Sequence, residues 1–285
     1  MSEFLEFNED KTVVTGIRNH GGAEVEIPEG VVELGEMALA YCLHLRRVVL
    51  PESLKRIGAS AFEGCCRLPA VTIPAGVEEI GIEAFSGVKR VVSKSPRWVV
   101  QEPGLLVDTK KKVLHSANKN ISGTLKVRGG ITSIADAAFE DCTMLTEVIL
   151  PQWVEKIGAG AFSGCRKLVS VKIPYTVREV GVGAFAGCSS LRSAVLSNVA
   201  EIRQMLFAGC SELTRVKLSS TAVAVEDEAF ASCRSLEKVT LPETILSLGC
   251  DLFRGCCSLE QINFGKEIHT CESYLEKYKW GMKKR

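Results

Sequence analysis

The chain has 285 residues, 46% of them apolar, 24% charged and 6% aromatic, and its 35 Lys and Arg against 34 Asp and Glu leave a net charge of +1. That balance excludes disordered, collagen-like and membrane-spanning classes and gives no bulk preference for nucleic acid or anionic lipid. No apolar run is long enough to cross a bilayer, so no membrane insertion is expected.

The first predicted element is a hairpin. Phe7 to Val14 (FNEDKTVV) sets apolar ends about a polar turn, and residues 1–22 are read as a hairpin cap over the open end of the core. Glu3, Glu6, Glu9 and Asp10 stand where a signal peptide needs a basic and then an apolar stretch. The expected location is therefore cytoplasmic, or the cell surface if export takes another route.

Residues 23–92 read as repeats. Pro28, Pro51 and Pro74 are 23 residues apart, and other columns keep step with them. Eleven residues after the proline slot stands Leu39, Phe62 or Phe85; six after it stands Leu34, Ile57 or Ile80. Before the proline, Val48-Val49-Leu50 and Val71-Thr72-Ile73 set two apolar residues about one variable residue, the pattern of a short strand with one buried face. The proline ends that strand because it has no N–H for a ladder. Ala61-Phe62-Glu63-Gly64-Cys65 is expected to form one helical turn, stopped by a glycine at positive φ. Such a unit cannot bury its apolar edge alone. Stacked units share a core, which is the logic of a solenoid.

Between Phe85 and Phe139 the period breaks. A degenerate strand is expected near Val91-Val92, and residues 93–124 are read as an inserted hairpin and degenerate coil, with Leu105-Leu106-Val107 and Val113-Leu114 about a polar turn that aligns with the N-terminal one. Repeats resume over 125–264, with Arg128, Pro151, Pro174, Ser197, Ser219 and Pro242 in the proline slot. Phe139, Phe162, Phe185, Phe207, Phe230 and Phe253 hold the aromatic column, and the copy at Ser197 is one residue short. Over 265–285, Ile268, Cys271, Leu275 and Tyr278 recur at helical spacing and predict a capping helix before a basic tail. Residues 1–285 are read as a single solenoid domain.

Residues 151–174 (PQWVEKIGAGAFSGCRKLVSVKIP) and 51–74 (PESLKRIGASAFEGCCRLPAVTIP) share a motif that resembles the repeat of the BspA-like leucine-rich repeat family. The resemblance covers about 23–92 and 125–264. It departs from the pattern at Leu39, at Gly87-Val88, and in the copies around 197–241, which lack the proline and the Ile-Gly pair. It implies an α/β, strand-rich leucine-rich-repeat solenoid, curved, with a parallel sheet on the concave face and short helical turns or irregular segments on the convex side. It also implies binding of other macromolecules, often at bacterial or protist cell surfaces or host interfaces, and supplies no catalytic residue.

Of twelve cysteines, Cys42, Cys65, Cys142, Cys165, Cys188, Cys210, Cys233 and Cys256 share one column, fourteen residues after the slot or thirteen in the short copy. A ladder of one small, burial-prone side chain reads as packing. Cys66, Cys250, Cys257 and Cys271 fall outside it. A redox- or metal-responsive cysteine protein is the competing reading, with reduced thiols the default where no export signal is present. His20, His44, His115 and His269 share no metal-ligand spacing and read as surface or loop residues. Gly158-Ala159-Gly160 and Gly181-Val182-Gly183 lack the Gly-Lys-Ser/Thr of a phosphate loop, and no carboxylate pair stands out. No catalytic residue, metal or cofactor is expected.

What remains is the open face of the strands. Its candidate binding residues are Val49, Lys126, Ile149, Lys172, Val195, Arg215, Lys217 and Lys238, and Asn263 continues the row. Val49, Ile149 and Val195 set β-branched groups where water favours polar ones. The cations make the later half of the face basic, whereas Glu24 and Glu26 make its start acidic. The expectation is a non-enzymatic, monomeric module that binds an unspecified protein or other macromolecule, not nucleic acid, through the concave face. A surface adhesin exported without a recognisable signal is the other reading on the same fold.

Overall fold

The computed structural model describes residues 4–18, 22–264 and 267–270, the last four by backbone alone. The chain forms two compact units, Met1–Asn120 and Ile121–Arg285. Each coil contributes two strands to parallel ladders. The longer strand precedes the proline slot. In the first unit Glu24–Glu26 pairs with Arg47–Val49, and Val71–Ile73 with Val91–Ser93. In the second, Gly123–Lys126, Leu145–Ile149 and Ser170–Lys172 form one ladder. Ser193–Val195 and Arg215–Lys217 form another, and Lys238–Leu241 and Gln261–Phe264 a third.

The shorter strand has two residues and ends on the apolar column six after the slot. Glu33–Leu34, Arg56–Ile57 and Glu79–Ile80 stack in the first unit. Ser133–Ile134, Lys156–Ile157 and Glu179–Val180 stack in the second, as do Glu201–Ile202, Ala224–Val225 and Ser247–Leu248. The glycine that follows this strand is steric in origin. A Cβ on Gly58, Gly81, Gly158, Gly181 or Gly249 would lie 2.5, 2.3, 2.4, 2.4 or 2.2 Å from backbone of the preceding coil. Coils pack that closely only where the side chain is absent.

The third side corrects the expected helical turn, for no α-helix is present among the described residues. Nine residues after the slot φ is positive at Met37, Ser60, Glu83, Ala137, Gly160, Gly183, Glu228 and Asp251. Four residues further on it is positive again, at Tyr41, Gly64, Gly87, Asp141, Gly164, Gly187, Ser232 and Gly255. Two left-handed residues per turn forbid an α-helical hydrogen-bond run. Their N–H groups reach the next coil instead. Ala137, Phe139 and Asp141 donate to the carbonyls of Ala159, Ala161 and Ser163 at 2.8, 2.7 and 2.8 Å, and the same triplet recurs along the chain. The side without regular strands is thus also laddered between coils.

Inside the second unit the aromatic column forms a stack. Phe139, Phe162, Phe185, Phe207, Phe230 and Phe253 have successive centroids 4.9, 5.3, 5.6, 5.8 and 5.6 Å apart with nearly parallel rings. Beside it runs the cysteine column, and its hydrogen bonds explain the residue type. The Cys165, Cys188, Cys210 and Cys233 thiols donate to the carbonyls of Phe139, Phe162, Phe185 and Phe207 one coil earlier, at 3.0, 3.0, 3.1 and 3.2 Å. Cys65 does the same to Leu39 in the first unit. A buried side chain here must be small, apolar and able to donate once.

The two hairpins share a design. Leu5–Phe7 pairs with Val13–Ile17, and Leu105–Asp108 with Val113–Ala117, each antiparallel with a bulge before its last aligned apolar pair. Asn8 Oδ1 accepts the N–H groups of Thr12 and Val13, and Asp108 Oδ1 those of Lys110 and Lys111. The inserted hairpin adds a third strand, Trp98–Gln101. At the other end, Glu267–Thr270 is a strand antiparallel to Gln261–Phe264, so Ile268 is not helical. Cys271, Leu275 and Tyr278 lie outside the described residues.

Candidate binding surface

Three of the ladder thiols are poor nucleophiles: the neighbouring Cys188 and burial push the Cys165 thiol up, and burial does the same to Cys210 and Cys233. Among the described residues no group of three or more His, Cys, Asp and Glu could hold a metal ion. Asp108 belongs to the hairpin's architecture: burial raises its carboxyl, but the Arg97 guanidinium at 2.7 Å and the two turn N–H groups hold it below its ordinary value.

His115 corrects its reading as a surface or loop residue. It is half-buried at the bulge, with Nε2 2.9 Å from the Ile80 carbonyl and its ring edge-on to Trp98 at 5.2 Å. Its Nδ1 and the Trp98 Nε1 are buried without a partner among the described residues, and burial lowers its pKa. His44 is exposed; His20 and the side chain of His269 lie outside the described residues.

Val49 is exposed in the first unit, in register with Glu26, while its neighbour Arg47 pairs with Glu24 at 3.4 Å. In the second unit Lys126, Ile149 and Lys172 are in register, and so are Val195 and Lys217. Ile149 is half-buried, whereas Val195 is 46% exposed. Lys172 pairs with Glu147 at 3.3 Å. Lys126, Arg215, Lys217 and Lys238 are exposed with no ion pair among the described residues. Asn263 does not continue the open row: it is only 8% exposed, its Oδ1 is unpartnered, and its strand is flanked by Glu267–Thr270.

Two large side chains escaped the strand-column reading. Trp153 is 58% exposed and Tyr175 73%, both in the turns that leave the long strands just after Pro151 and Pro174. The signal was present: slots that hold small or polar residues in nearly every other coil hold aromatics here.

Comparison with known proteins agrees with this geometry. The model of the BspA type leucine rich repeat region matches residues 19–94, 117–223 and 193–278 in six copies. Among solved structures, a leucine rich cell surface protein of Faecalibacterium prausnitzii is 26% identical with a TM-score of 0.64, over 88% of this chain and 61% of that one. A leucine-rich repeat protein of Eubacterium ventriosum is 17% identical with a TM-score of 0.61, over 85% of this chain and 88% of that one. The pneumococcal vaccine antigen PcpA is 20% identical with a TM-score of 0.59, over 86% and 57%. The chain thus spans less than two thirds of the Faecalibacterium and pneumococcal chains. None of the curated proteins compared matches it in sequence. With the family model matched over most of its length, and coils built on that repeat, the chain belongs to the BspA-type leucine-rich repeat family.

Proposed function

We propose that this protein is a non-catalytic binding module that holds a protein partner on the long-strand face of its second unit. One observation carries the reading. The registered pair Val195 and Lys217 sets an exposed β-branched side chain beside an unpaired cation, and Lys126, Arg215 and Lys238 extend the unpaired charge along the same type of face. Such a surface suits a partner that presents carboxylates beside an apolar strip, with steering from the cations and desolvation from the valine. The cell-surface description of the Faecalibacterium relative supports a binding role for the fold.

The test uses Val195→Asp with Lys217→Glu. Both sites are exposed, so stability should change by less than about 1 kcal/mol. A partner captured by the wild-type protein and then purified should bind this variant at least tenfold more weakly, about 1.4 kcal/mol. Unchanged affinity, with binding abolished instead by Val182→Asp and Met205→Asp on the turn side, would place the partner there and sink the reading.

A further inference from the structure

We infer that Trp153 and Tyr175, with Arg128 and the Gly129-Gly130 turn, form an anchor that seats an extended polypeptide carrying carboxylates beside aromatic or apolar side chains. This rests on the reading of the second unit as a protein-binding module and names what its partner must present.

The placement follows from register. Ile149 is opposite Lys172, so the turns after Pro151 and Pro174 lie side by side. The Thr176 hydroxyl fastens them, donating to the carbonyls of Gln152 at 2.8 Å and Val154 at 2.7 Å. Trp153 and Tyr175 therefore stand on adjoining turns, one position out of step. Every described phenylalanine of the repeats in this unit up to Phe253 is buried, so these two rings are set apart from the core.

The turn one coil earlier is bare. A Cβ at Gly129 or Gly130 would meet nothing within 4 Å, and Gly130 has φ +88°. The first coil of the first unit gives a contrast. There the Gly30 N–H donates to Ser53 Oγ of the next coil at 3.0 Å. Trp153 takes the place of Ser53 and has no acceptor to offer, and among the described residues the Gly130 N–H has no partner. An exposed N–H, the exposed guanidinium of Arg128 and the ammonium of Lys126 on the same strand exit form a carboxylate-accepting group beside two free rings. Tryptophan, tyrosine and arginine are also the residues enriched at binding hot spots.

The surroundings favour polypeptide over the alternatives. A polypeptide supplies both the carboxylates for these cations and the apolar or aromatic side chains for the two rings.

The experiment measures binding of the full chain to four fluorescent probes: poly-glutamate, a random glutamate–tyrosine copolymer, polygalacturonate and oligo-deoxythymidine. The copolymer should bind at least tenfold more tightly than poly-glutamate. Trp153→Ala with Tyr175→Ala should remove that advantage while circular dichroism and the urea midpoint stay unchanged. Trp153→Ser, which restores the serine of the first unit, should weaken copolymer binding too. No copolymer binding, equal binding by the aromatic variants, or a dependence on Trp153 seen only with polygalacturonate or the oligonucleotide would each overturn the anchor. If Val195→Asp with Lys217→Glu leaves copolymer affinity intact while the aromatic variants lose it, the anchor stands and the strand-face reading falls.

Discussion

His115 sits where the inserted hairpin bulges, the position held by exposed Thr15 in the N-terminal hairpin. Spacing showed that the two hairpins align, but it could not weigh burial, because a bulge re-aims one side chain without leaving a mark in the sequence. The histidine is held neutral by burial, opposed by the Ile80 carbonyl and Asp108 and reinforced by Lys111. Arg97 is paired with Asp108, and Glu78 and Glu79 lie within electrostatic reach of Arg97. A folded pKa below 6.5 means that the unfolded chain binds the extra proton first. Stability from this site is thus present above about pH 6.5 and is lost as pH falls from there toward the folded value, at no more than about 1.4 kcal/mol per pH unit. Urea midpoints of the wild type should fall between pH 7 and 5 more steeply than those of His115→Phe. Parallel profiles would show that His115 is not the titrating group.

At the level of the element, the coil is held by columns that each do one job. The phenylalanine column was legible because the same residue recurs at one offset, and the stack is what that recurrence builds. Phe162 is fully buried between Phe139 and Phe185. Phe162→Ala should cost about 3–5 kcal/mol, and hydrogen exchange should quicken in the coils on both sides because neighbouring repeats share interfaces. A loss below about 1 kcal/mol in urea unfolding would mean that the stack is not the core. The turn after the short strand was not legible. The glycine at its end suits a helix stop and a left-handed turn alike. The other left-handed position is filled by Met37, Ser60, Glu83, Ala137, Gly160, Gly183, Glu228 or Asp251, residues with no common identity. Their φ is imposed by the ladder to the next coil, an interaction that no single repeat contains.

On the scale of the molecule, the cysteines separate the packing reading from the redox one. Cys66, Cys250 and Cys257 are exposed, whereas Cys65, Cys142, Cys165, Cys188, Cys210 and Cys233 are buried. Brief alkylation of the native protein, mapped by mass spectrometry, should label the exposed set first. Cys165, Cys188, Cys210 and Cys233 should react together, only as their unit opens, since reaction needs both access and thiolate. Labelling of Cys165 as fast as Cys66 would contradict the ladder. Periodicity by itself determined the repeat, the family, the core columns and the long strands, because stacking identical coils forces each buried side chain to recur at one offset. Only the tertiary structure decided the rest. It showed that the turn side is laddered rather than helical and that cysteine is chosen to cap a neighbouring carbonyl. It also showed that Ile149 and Asn263 are withdrawn from the open face while Trp153 and Tyr175 are exposed on the turns that follow it. Those properties depend on what the adjacent coil places opposite a residue, and that juxtaposition exists only once the chain has stacked.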